Sequence, residues 1–330
     1  MGQVLRRQFL MAASALLASP LARAQQARKI QRVGLLANLP RPPNAAAVRF
    51  LDAIRLGLQE AGYVEGRNLV IDARWETKID ALSQGAADLV NSGVDVLLTF
   101  TTPATRAAAK ATHAIPIVFS MVSDPIGSGF VTSLARPGRN ITGVTNAFPK
   151  FSGKLLELVR EVVPGTRRVT VLWNPDNTGK ALDFKALEVA ARELNVMLQS
   201  VHVRAPKDFA AAFAKVAQDR PDALITLADT VTYRQRNEIA AFAISHRIPT
   251  AFNHLRHTEA GGLMSFSPDN SEILRRAGVL VGKVLGGARP ADLPVEQPTK
   301  FELVINLKTA KALGITIPQS IMLRADQVIE

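Results

Sequence analysis

Where short apolar runs of this sequence end, the next residues are ones that hydrogen-bond readily: Asn38, Thr101 and Thr102, Ser123 and Asp124, Asn174, Asp229, and Asn253. Hydroxyl, amide and carboxylate groups of this kind can hold a polar small molecule. Pro103 follows Thr102 and marks a helix start, where free backbone N–H groups and the helix dipole favour an anion. The Thr102 hydroxyl and the N–H groups around Ala104 are therefore candidates to hold a carboxylate, with Ser123 or Asp124 completing that wall. Asp229 is the candidate for receiving an ammonium, and Tyr233 for touching an apolar side chain. Phe119, Phe252 and Trp173 lie near the same ends, with core packing as their expected role. Each polar residue taken singly also has a purely structural reading, since these types cap helices. A helix end contributes about 0.3–2 kcal/mol, whereas micromolar binding needs about 8 kcal/mol. Apolar burial must supply much of the difference.

Reactive chemistry has weaker support. Gly278 to Lys283 reads G-x-x-x-G-K, one residue short of a phosphate loop and lacking its Ser or Thr. Gly127-Ser128-Gly129 does not have the spacing of a nucleophile elbow. His254 and His257 could share a metal from one helix face, but no third ligand is evident and the chain has 5 histidines in all. With 0 cysteines, disulfides, thiolate metal sites and cysteine nucleophiles are excluded together. Asn140-Ile141-Thr142 matches a glycosylation sequon, yet reads better as a turn after Pro137-Gly138. No catalytic residue, metal or cofactor is expected.

The elements that must position the polar set announce themselves by repetition. Strand-like and helical apolar patterns alternate along the chain, as in parallel sheets covered by helices on both faces. Arg32-Val33-Gly34-Leu35-Leu36-Ala37-Asn38 is echoed by Arg168-Val169-Thr170-Val171-Leu172-Trp173-Asn174. The helices that follow carry Leu51-Asp52 and Leu182-Asp183. Asp95 to Phe100 is echoed by Asp222 to Leu227, and His113 to Ser120 by His246 to Asn253. Three matched segments in one order imply two similar α/β lobes. Ligands of such sheets bind outside the carboxyl ends of the strands, so two facing lobes make a cleft lined by the polar set.

The first 24 residues have the pattern of a signal peptide: Arg6-Arg7, an uncharged Phe9–Leu21 run, then Ala22-Arg23-Ala24 at cleavage spacing. The run Arg6-Arg7-Gln8-Phe9-Leu10 is similar to a twin-arginine signal, with Leu5 as a departure. Cleavage near Ala24 would lower the formal charge from +12 to +9 and leave a periplasmic protein. The remaining Lys and Arg are scattered among acids, and aromatic residues are only 5%, which argues against nucleic acid as a partner.

Longer stretches carry a resemblance. They include Gly57-Leu58-Gln59-Glu60-Ala61-Gly62-Tyr63-Val64-Glu65-Gly66-Arg67-Asn68, Thr102-Pro103-Ala104, Ser123-Asp124-Pro125 and Ser133-Leu134-Ala135-Arg136-Pro137-Gly138. Leu172-Trp173-Asn174-Pro175, Glu259-Ala260-Gly261-Gly262-Leu263-Met264-Ser265 and Asp292-Leu293-Pro294-Val295-Glu296-Gln297-Pro298 continue the series. On these the chain resembles the ABC transporter substrate-binding family whose members include tryptophan-binding components. The resemblance implies an α/β type I periplasmic-binding fold: two Rossmann-like lobes with parallel sheets, joined by three hinge crossings near Thr145–Pro149, Ser265–Asp269 and Ala291–Pro298. The lobes would then be residues 28–147 plus 268–290, and 148–267 plus 291–330. It further implies a monomer that binds a small solute, such as an amino acid or related carboxylate, and delivers it to an ABC permease in the inner membrane. A sensing module for a membrane receptor, or an enzyme on the same scaffold, is the alternative.

Overall fold

The computed structural model describes residues 30–41 and 44–330; the expected signal peptide lies outside these. Among the described residues, twelve strands form two sheets. The first contains β1 (Gln31–Ala37), β2 (Leu69–Trp75), β3 (Val96–Phe100), β4 (Ile117–Val122) and β5 (Ile141–Thr145) in the order β2-β1-β3-β4-β5. All its pairs are parallel. The second contains β6 (Arg168–Trp173), β7 (Met197–His202), β8 (Ala223–Thr226), β9 (Thr250–Phe252), β10 (Met264–Pro268), β11 (Phe301–Asn306) and β12 (Gln327–Ile329), in the order β12-β11-β10-β9-β8-β6-β7. Read inwards from β7, that order repeats the first sheet strand for strand. The central strands are apolar at nearly every position because helices cover both faces; β3, for example, is buried throughout.

The sequence repeat has a structural cause at its aspartates. Asp95 accepts the Arg32 N–H at 2.8 Å, and Asp222 accepts those of Arg167 and Arg168 at 2.9 and 2.8 Å. Each carboxylate therefore ties the start of a third-ranked strand to the start of the first. The register of the two lobes is fixed in the same way twice.

Two details differ from the sequence reading. The second sheet is not wholly parallel, because β11 runs antiparallel to β10 with Pro268 opposite Phe301. The chain leaves this sheet at Pro268 and re-enters beside the point of departure, so it must run back along the strand it left. Residues 291–296, expected with the second lobe, lie on the first sheet. Glu296 bridges Val144 at the β5 edge, donating its N–H to the Gly143 carbonyl at 2.9 Å and accepting the Thr145 N–H at 3.0 Å. Val295 joins the same core as Phe119 and Ile141.

Between those passages, the Asn270–Leu285 helix belongs to the first sheet's packing. Ile273, Leu274, Ala277, Leu280 and Val281 share one core with Val33, Leu35, Val96 and Leu98. It lies against the Asn44–Glu60 helix so closely that a Cβ on Gly57 would stand 1.9 Å from the Arg275 carbonyl oxygen. A Cβ on Gly278 would stand 2.3 Å from that of Ile54. No described helix is long and apolar enough to cross a membrane.

Candidate functional site

The carboxyl ends of β1, β3 and β4 face those of β6, β8 and β9, and contacts between them join the two halves. Thr230, which follows β8, donates its hydroxyl to the Asn38 carbonyl and lies 3.3 Å from Asn38 Oδ1. Ser123, beyond β4, donates its hydroxyl to Asp183 Oδ2 at 3.0 Å. Gly179 in the first turn of the Thr178–Glu193 helix faces Thr102 so tightly that a Cβ there would stand 2.3 Å from Thr102 Oγ1. Two helix starts therefore meet at this junction, both turning their positive ends inward.

The first wall is made of backbone and hydroxyls. Thr101 opens the Thr101–Ala111 helix at φ 74°, a left-handed conformation that is rare for a β-branched residue. Its carbonyl accepts the Thr105 hydroxyl at 2.9 Å, while its own Oγ1 is enclosed without a partner. With Phe100 at the cap, the N–H groups of this start without a partner inside the helix are those of Thr101 and Thr102, since Pro103 has none. Ala104 turns its methyl group into the core. A β-bulge at Met121, φ 59°, redirects the chain before Ser123. Asp124 closes its own turn by accepting the Gly127 N–H at 2.7 Å.

The second wall carries charge. Asp229 caps the Thr230–Arg234 helix, its Oδ1 accepting the N–H groups of Val231 and Thr232 at 2.9 and 3.1 Å. Its Oδ2 accepts Asn174 Nδ2 at 2.7 Å, and burial pushes its pKa above the usual carboxylate range. Asn253 Oδ1 accepts the Ala228 N–H at 2.8 Å and so holds the approach to Asp229. Lys180 Nζ lies 2.5 Å from Asp183 Oδ2; the lysine is 7% exposed and the aspartate 0%. Burial raises the Asp183 pKa, against the lowering effect of Lys180 and of the Ser123 hydroxyl.

Two imidazoles finish this wall. His254 caps the Leu255–Glu259 helix through Nδ1, which accepts the Arg256 N–H at 3.2 Å. That bond assigns its proton to Nε2, and burial, with Arg256, Lys180 and Arg236 nearby, lowers its pKa to about 4. His257 stacks on Phe252 at 4.9 Å between ring centroids and is held well below its ordinary value by burial. The Tyr233 ring stands 5.6 Å from His254, with the Arg236 guanidinium 4.6 Å from its centroid. Phe119 and Phe252 are wholly buried, and Trp173 stacks on Phe184.

The strand-end rule thus finds Asn38, Thr101, Thr102, Ser123, Asn174, Asp229, Tyr233 and Asn253 around the meeting of the two sheets. It misses Gly179, Lys180, Asp183, Thr230 and His254. Lys180 and Asp183 stand three apart just beyond the Asn174-Pro175 strand end, so their charge was available as a signal. Two open hollows lie elsewhere. One of about 250 Å³ is lined by Arg55, Tyr63 and Glu65, and one of about 420 Å³ by Asp269, Arg276 and Glu296. Their facing charges are already paired as Arg55–Glu65 and Arg276–Glu296.

The sequence pattern of the family described as ABC transporter substrate binding protein matches residues 44–329. The chain belongs to this family. A relative, the tyrosine-binding protein of Clostridioides difficile (strain R20291), is 26% identical over 259 residues, 78% of this chain and 74% of the relative. A solved structure, the ABC domain from Streptococcus pneumonia in complex with L-Trp, superposes with a TM-score of 0.82 at 27% identity, covering 91% of this chain and 99% of that one. A conserved domain protein from Vibrio cholerae O1 biovar El Tor superposes at 0.84 with 28% identity, over 91% and 100%. Members of the family bind substrates rather than transform them, and the fold is the type I periplasmic-binding fold.

Proposed function

We propose that this chain is the exported, periplasmic solute-binding component of an ABC importer, holding an amino acid or related carboxylate between two lobes. On this reading the lobes are residues 28–147 with 268–296, and 148–267 with 297–330. They rotate about the three passages and close on the solute, and a permease in the inner membrane reads the closed shape. The observation that carries the reading is the junction itself. Asn38, Thr102 and Ser123 from one set of strand ends touch Thr230, Gly179 and Asp183 from the other. The tyrosine-binding relative and the L-Trp complex support an amino acid or a compound of similar size.

The Thr101 hydroxyl and the N–H groups of Thr101 and Thr102 receive the solute carboxylate on this reading. Tyr233, Asn253 and His254 border its remainder. Asp229, the candidate for an ammonium, can offer only Oδ2, shared with Asn174. Calorimetric titration with a panel of amino acids and small carboxylates tests the proposal. One-to-one binding near micromolar affinity, about 8 kcal/mol, is expected for some member. Gly179→Ala should weaken it about tenfold by wedging the helix starts apart. Failure of every amino acid and carboxylate would overturn the reading.

A further inference from the structure

We propose that the solute is a carboxylate without a free α-ammonium, and that Lys180 supplies its counter-charge. The inference rests on the binding role proposed above and narrows its substrate class.

An α-amino acid needs two opposite sites in the cleft. The first wall provides one of them, for the anion, at the start of the Thr101–Ala111 helix. Thr101 Oγ1 is enclosed there without a partner, as is Ser120 Oγ on β4, opposite Phe100. The facing wall is where an ammonium would dock, and its acceptors are largely taken. Asp229 Oδ1 holds two backbone N–H groups and Oδ2 holds Asn174. Asp183 Oδ2 holds both Lys180 and Ser123. Asp183 Oδ1 has no partner, but that side chain is wholly enclosed, while Lys180 beside it keeps 7% of its surface. Of the pair, the lysine is the member that keeps exposed surface.

An incoming ammonium would meet the Lys180 ammonium beside Asp183 and Asp229, whose reachable oxygens already hold hydrogen bonds. A carboxylate would instead find one lysine cation, two helix starts and the Thr101 hydroxyl converging on it. Asp183 is a positioning residue in this scheme: its carboxylate fixes Lys180, and the Ser123 hydroxyl adds the bond from the opposite lobe. Lys180 also lies 6.0 Å from the Phe148 ring centroid, which holds the ammonium without removing its charge.

Matched ligand pairs test this in the full mature chain. Calorimetry would compare L-tryptophan with indole-propionate, L-tyrosine with hydroxyphenyl-propionate, and L-leucine with isocaproate. The amine-free acid is expected to bind about tenfold more tightly or better in at least one pair. The paired change Lys180→Gln with Asp183→Asn, which leaves no lone buried charge, should erase that preference. Lys180→Arg should retain it, and both variants are first checked for native circular dichroism. An amino acid that binds as well as its amine-free partner overturns the proposal. So does an unchanged preference in the paired variant, or failure of all six ligands while other amino acids bind. If no amino acid or carboxylate binds at all, the functional reading itself falls.

Discussion

The two lobes share a strand order and an aspartate that locks their register, yet their facing walls use different physics. The first wall contacts the junction through Asn38, Thr101, Thr102 and Ser123, with a left-handed threonine and a bulge setting their directions. The second contributes Lys180, Asp183, Asp229 and His254, all titratable groups drawn out of water. Backbone and hydroxyl groups do not titrate near neutrality and offer little to discriminate between anions. A wall of buried charge costs desolvation and is correspondingly selective. The difference teaches that duplication supplied the geometry, and that divergence at one set of strand ends supplied the chemistry.

The sharpest break in this contrast is Lys180→Met. Leaving Asp183 enclosed without its partner should cost about 3–5 kcal/mol, whereas Lys180→Met with Asp183→Leu should recover most of it. Urea denaturation of the three proteins decides the matter, and a single-variant cost under about 1 kcal/mol would mean the pair behaves as a surface one. Next in size is acid sensitivity. His254 titrates near 6.5 unfolded and about 4 folded, so the unfolded chain binds more protons between those values and stability falls as pH drops from 6.5 to 4. The contribution reaches up to about 3 kcal/mol.

Asp183 and Asp229, raised by burial, slope the other way, because the folded state holds their protons and loses stability as pH rises. Comparing wild type with His254→Asn isolates the imidazole, since Asn still caps the helix. Denaturation midpoints at pH 7 and pH 4.5 should converge in the variant. The smallest effect belongs to the first wall: Thr101→Gly relieves the left-handed strain and should stay within about 1 kcal/mol of wild type, on the stabilising side. Its solute affinity should nevertheless fall, because the enclosed hydroxyl is gone. Equal affinity would remove Thr101 from the wall.

Much of this contrast was legible before the structure. Asp95 and Asp222 mark the repeat because a carboxylate is needed at the same ladder position twice. Pro103 announces the helix start because its ring suits only the first turn. Other features depend on distance in space. The reversal of β11 follows from where Pro268 and Phe301 meet, which no local pattern records. Residues 291–296 carry linker-like prolines, and only their pairing with β5 reveals the sheet they serve. Lys180 and Asp183 have the three-residue spacing of a common helix-surface pair, and only the Ser123 hydroxyl, arriving from the other set of strand ends, marks them as enclosed. The positive φ of Thr101 leaves no sequence mark, since threonine is not a residue chosen for it.

The helix packed through Gly57 and Gly278 sets the order in which the molecule can be completed. Residues 270–285 provide a large share of the first sheet's core, yet they emerge from the ribosome only after the whole of β6 to β10. The second sheet can assemble most of its strands while the first still waits with an apolar face uncovered. The lobe synthesised first must wait until most of the other has emerged, and a chain truncated before residue 270 would hold five of the second sheet's seven strands beside an unfinished first one.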